Sequence, residues 1–153
     1  LNPLKSKANM ASLAHRLVKA RDITSPFPFI HVFAPEEKLA SNFTYKTVNY
    51  LIKTMPLANL IWIMGADNLV QLSKWQRYKS LISLIPIAVI DRPSYSYRAI
   101  SAGRRLFRSR YTPGQLRCNL SKTQLNLPIW CFLSGKRHSA SATSIRQQHS
   151  ECQ

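Results

Sequence analysis

Short apolar runs that alternate with amphipathic stretches constrain this chain more than any other feature. The runs are "PFIHVFA" (Pro28–Ala34), "NLIWIMG" (Asn59–Gly65), "PIAVIDRP" (Pro86–Pro93) and "PIWCFLSG" (Pro128–Gly135). β-Branched and aromatic residues bounded by Pro, Gly or Asn predict strands. "NLIWIMG" and "PIAVIDRP" are nearly continuous in apolar residues, the pattern of a parallel strand buried on both faces.

The segments between them read mostly as helices. Over Met10–Ala20, Leu13 and Leu17 share one face, with Arg16 and Lys19 off it. Thr44–Lys53 places Val48, Leu51 and Ile52 together, with Thr44 as the expected N-cap. "DNLVQLSKWQRYKSLIS", which starts at Asp67, is expected to be helical in two pieces, and Tyr97–Arg110 to be a basic helix. Thr112–Leu127 reads as a loop, and Ser141–Gln148 opens a last helix. Strand–helix alternation of this kind predicts an α/β fold, a parallel sheet with helices on both faces. No linker divides the chain, so one domain over 1–153 is expected. In such folds ligands gather at the carboxyl ends of the strands.

Charge narrows the partners. The chain has 22 Lys and Arg against 6 Asp and Glu, a net charge of +16. From Arg92 to Ser150 there is no acid at all. Such a field attracts polyanions, whether nucleic acid, anionic membrane or phosphorylated small molecules, and does not choose among them. Cys118, Cys131 and Cys152 are odd in number and form no CxxC, so neither a disulfide framework nor a zinc site is expected, and a reducing cytoplasm is. The longest apolar run, Leu81–Ile90, is too short to span a bilayer. His15, His31, His138 and His149 show no metal-ligand spacing, and neither a P-loop nor a GxGxxG motif occurs.

Three local patterns carry candidate chemistry. In "GAD", Gly65 permits a sharp turn and a close approach of the backbone, and Asp67 can accept hydrogen bonds from ribose hydroxyls; its bland reading is a helix cap. Trp75, followed by Gln76, offers a flat face to a heteroaromatic ring or a large anchor to the core. In "SATSIR", Ser141 and Thr143 stand at a helix start, with the Arg146 guanidinium about a turn further on, a donor set suited to phosphate. A capped helix with a surface arginine reads equally well.

Taken in order, these segments resemble the bacterial nicotinate-nucleotide adenylyltransferase family. "NPLK" (Asn2–Lys5) resembles the loop after its second strand. "FTYKT" (Phe43–Thr47) resembles its Tyr-Thr-x-x-Thr helix start, with Phe43 for tyrosine and Lys46 where an acid is frequent. "WIMGADNLVQLSKWQRY" resembles its Gly-x-Asp segment and following tryptophan. "DRPSYSYRA" resembles its Arg-Pro-Gly-Tyr stretch, with Ser94 for glycine. "SASATSIR" resembles its Ile-Ser-Ser-Thr-x-x-Arg signature, with Ala140 and Ala142 substituted.

The resemblance implies a Rossmann-like nucleotidyltransferase fold and adenylyl transfer from ATP, with Mg²⁺, to nicotinate mononucleotide. It puts Thr44, Trp75 and Gln76 at the nicotinate, Gly65 and Asp67 at the adenosine ribose, and Ser141, Thr143 and Arg146 at the ATP phosphates. It implies no membrane partner and leaves a homo-oligomer open. Family members open with a Gly-x-Phe-x-Pro-x-His-x-Gly-His motif whose histidines contact the reacting phosphates. This chain carries no such motif, so no catalytic residue is assigned in it. The first strand and helix of the fold are expected to be missing with the motif, and the chain to be an N-terminally truncated copy. The alternatives are a non-catalytic nucleotide-binding remnant or a basic nucleic-acid module. The latter would use Arg98–Arg117, with Tyr97, Phe107 and Tyr111 as stacking platforms.

Overall fold

The computed structural model describes residues 11–39, 41, 43–120 and 125–135, and the chain divides into two compact units, Leu1–Pro56 and Leu57–Gln153. The described part of the first unit is helical. α1 (Leu13–Thr24) starts where the Ser12 hydroxyl accepts the His15 N–H at 3.2 Å. It buries none of its own residues. After α2 (Pro35–Leu39), α3 (Thr44–Thr54) follows an N-cap at Phe43, not at Thr44; the Ser41 hydroxyl takes the Phe43 N–H at 3.4 Å. Thr44 is therefore the first helical residue. Thr47 and Val48 form the buried side of α3.

The expected strand over Pro28–Ala34 does not form. That stretch is turn and irregular backbone, and Phe29 is 92% exposed. A strand exists only where a neighbour takes its N–H and C=O groups, and no described strand pairs with this one.

The second unit holds a wholly parallel sheet of four described strands: β1 (Trp62–Gly65), β2 (Ile87–Ile90), β3 (Ser109–Tyr111) and β4 (Ile129–Leu133), in the order β1-β2-β4-β3. α4 (Ala66–Gln71), a 3₁₀ turn (Leu72–Lys74) and α5 (Tyr78–Ile82) link β1 to β2, the two helical pieces expected. The basic segment divides differently from expectation. α6 (Ser96–Leu106) stops early, and "SRY" becomes β3 because β4 offers a free edge, Ser109 facing Ile129. The segment read as a loop contains α7 (Pro113–Asn119), started by a capping box in which Thr112 and Gln115 bond each other's backbone N–H. Thr112, Pro113 and Gln115 were legible as that signal.

Both sheet faces are covered at β2 and β4, whereas β1, expected to be buried on both faces, lies at the edge of the described sheet with Ile63 exposed. On one face, Leu116 of α7 packs with Ala88, Ile129 and Cys131. On the other, α6 reaches β4 so closely that a Cβ at Gly103 would fall inside the Trp130 indole. Ala99, Ala102 and Gly103 make the buried side of α6, which suits so near an approach. Phe107 and Phe132 flank Trp130 at centroid distances of 6.0 and 6.2 Å. Strand positions that alternate between faces are thus apolar throughout, the reason β2 and β4 read as unbroken runs.

Candidate active site

The carboxyl ends of β1 and β2 lie side by side, with Gly65 in register with Ile90. The chain leaves β1 through Gly65, the N-cap of α4, so that Asp67 falls in the first turn. The Asp67 side chain is only 12% exposed, and its Oδ1 lies 3.5 Å from Arg92 Nε, which comes from just beyond β2. Gly65 makes this meeting possible. A Cβ there would sit 2.5 Å from Asp67 Oδ1 and 2.7 Å from Arg92 Nε, closer than real Cβ atoms come. The bland reading of Asp67 as the helix cap does not hold, because Gly65 occupies that position.

The turn after β2 is tightly built. Ser96 donates its hydroxyl hydrogen to Asp91 Oδ1 at 2.6 Å, and Ser94 sits at φ 66°. That left-handed conformation is the one a glycine adopts without strain, which explains physically why glycine suits the place Ser94 holds.

Trp75 follows the 3₁₀ turn and is 8% exposed, and its Nε1 is buried without a hydrogen-bond partner among the described residues. Gln76 beside it is exposed. Arg77, at φ 54°, reverses the chain into α5. Gly65, Asp67, Trp75 and Gln76 are therefore carried on one continuous strand–helix–turn segment, whereas Thr44 belongs to the first unit, at the start of α3. Ser141, Thr143 and Arg146 lie outside the described residues.

Burial pushes the Cys131 thiol up, against a lowering by the Val89 backbone and the Arg110 charge, so it is a packing residue and not a nucleophile. Of the residues expected as stacking platforms, Phe107 is buried with its ring against that of Trp130, whereas Tyr97 is exposed. No group of His, Cys, Asp and Glu among the described residues could hold a metal ion, and no described helix is long and apolar enough to cross a membrane. Arg92 is the residue that sequence reasoning passed over. It stood within a resembling stretch, but nothing in its spacing from Asp67 announces that the two side chains meet.

A parallel sheet with helices packed on both faces, its β1 and β2 ending side by side, is a Rossmann-type α/β architecture, in which ligands bind at the carboxyl ends of the strands. The chain belongs to the cytidylyltransferase-like family, whose model matches residues 2–148, and within it to the nicotinate-nucleotide adenylyltransferases. A protein of Bradyrhizobium sp. (strain ORS 278) is 33% identical over 95% of this chain and 74% of its own length. One from Methylorubrum extorquens is 36% identical over 95% and 77%. One from Agrobacterium fabrum is 34% identical over 97% and 78%. Each is named "Probable nicotinate-nucleotide adenylyltransferase".

Proposed function

We propose that this chain serves adenylyl transfer from ATP to nicotinate mononucleotide, giving deamido-NAD and pyrophosphate in NAD biosynthesis. The observation that carries the reading is the seating of Asp67, over Gly65 and against Arg92, at the carboxyl ends of β1 and β2 in a chain whose relatives bear that name. The nucleotide phosphate attacks the α-phosphorus of ATP in line, the bond to the β-phosphate oxygen breaks, and pyrophosphate leaves. Such a transfer rests on positioning and on stabilising charge as it develops, and needs no covalent intermediate with the protein. Mg²⁺ arrives with ATP as part of that substrate.

In this reading the Asp67 carboxylate accepts from the adenosine ribose and the Gly65 backbone comes close to it. Trp75 meets the nicotinate ring, with Gln76 beside it. The resemblance extends the reading to Thr44 at the nicotinate, and to Ser141, Thr143 and Arg146 at the ATP phosphates. The net charge of +16 draws in two polyanions. A cytoplasmic setting belongs to the same reading, since the three cysteines are odd in number and form no CxxC.

Titration of the purified chain with each nucleotide tests this. The expected result is binding of both, with Trp75→Ala weakening nicotinate mononucleotide roughly tenfold, the loss of about one aromatic contact, while ATP binding stays. Binding of neither by the unsubstituted chain sinks the proposal.

A further inference from the structure

We infer that Arg92 is a positioning residue for Asp67: it holds the carboxylate in the orientation that recognises a ribose hydroxyl of the adenine nucleotide. The inference rests on the proposed role of Asp67 and adds a residue to which no role has been given.

The geometry leads there in three steps. Asp67 and Arg92 come from different crossovers of the sheet, one just after β1 and the other just after β2, and meet only because those strands are paired in parallel. The contact is asymmetric. The Asp67 side chain is 12% exposed, while that of Arg92 is 51% exposed. An ion pair with one partner so open to water contributes little to stability, on the order of 0–1 kcal/mol. Folding alone is therefore a weak reason for placing the pair here. Finally, the pair fills the space where a side chain at residue 65 would begin. Backbone, carboxylate and guanidinium are thus packed together at the end of the sheet where ligands of this fold class bind.

A carboxylate turns easily about its last torsion. The Arg92 Nε beside Oδ1 selects one setting of it before a ligand arrives, which cuts the ordering cost of binding. The expected signature is a change in ribose selectivity, which a merely structural arginine would leave alone.

The test uses the full chain. Dissociation constants are measured for ATP, 2′-deoxy-ATP and 3′-deoxy-ATP with the unsubstituted protein, Arg92→Gln, Arg92→Lys, Asp67→Asn and the double variant Arg92→Gln/Asp67→Asn. Thermal unfolding is followed in parallel. The unsubstituted chain should prefer ATP over at least one deoxy analogue, and Asp67→Asn should abolish that preference. Arg92→Gln should reduce it by roughly fivefold, the size of coupling expected between contacting charged residues. Arg92→Lys, which keeps the charge without the planar donor set, should fall between. The double variant should be no worse than Asp67→Asn alone. If Arg92→Gln keeps the full preference while Asp67→Asn loses it, Arg92 does not position Asp67, and the ribose reading of Asp67 stands without it. A lowered melting temperature with unchanged selectivity makes Arg92 structural and overturns the inference. If Asp67→Asn itself keeps the preference, the parent reading fails and takes this one with it.

Discussion

Two stretches of this chain look alike on paper and end up in opposite environments. "PFIHVFA" and "PIWCFLSG" both open on proline and carry an apolar, β-branched or aromatic run. The second becomes β4, with Ile129, Trp130, Cys131 and Phe132 all buried between β2 and β3. The first is turn and irregular backbone, with Phe29, Ile30 and Phe33 exposed. Composition can make a segment fit to be a strand. Whether it is one depends on a partner that takes up its backbone groups and covers its side chains.

The comparison is sharpest at one aromatic from each stretch. Trp130→Ala should destabilise the chain by about 3–5 kcal/mol, since it empties a fully buried site in the middle of the sheet. Phe29→Ala should change stability by no more than about 0.5 kcal/mol. Urea unfolding of the two variants measures both. Similar losses would mean that Phe29 is packed in solution and that the contrast is wrong.

A second expectation probes how closely β4 is held. Gly103→Ala should cost roughly 1–3 kcal/mol, although alanine favours helices, because its methyl would enter the Trp130 ring. A stabilised variant would show that α6 stands further from the sheet. A smaller cost than at Gly103 is expected at α7. Thr112→Ala removes the hydroxyl that accepts the Gln115 N–H and should cost about 1 kcal/mol. No change in the unfolding midpoint would mean that α7 is held by Leu116 alone.

The site shows the same division as the fold. Gly65, Asp67, Trp75 and Gln76 could be nominated because they follow one another along a strand, a turn and a short helix, and local order is written in local sequence. Arg92 could not. Its meeting with Asp67 requires the β1–β2 pairing, which brings together residues from separate crossovers. In the same way Ser109–Tyr111 carries no strand pattern of its own and becomes β3 through its pairing with β4, with Arg110 lying 5.5 Å from the Trp130 ring. A cation over an indole offsets the polarity of an otherwise unpromising edge strand.

By itself the sequence determined the alternation of strands and helices, the parallel character of β1, β2 and β4, and the family. These follow from side-chain periodicity and from motifs a few residues long. Tertiary structure alone decided which apolar runs found neighbours, where the basic segment turned from helix to strand, and which arginine meets the buried acid. Each of those outcomes depends on contacts between residues far apart in the chain, whose free energy exists only once the sheet has formed.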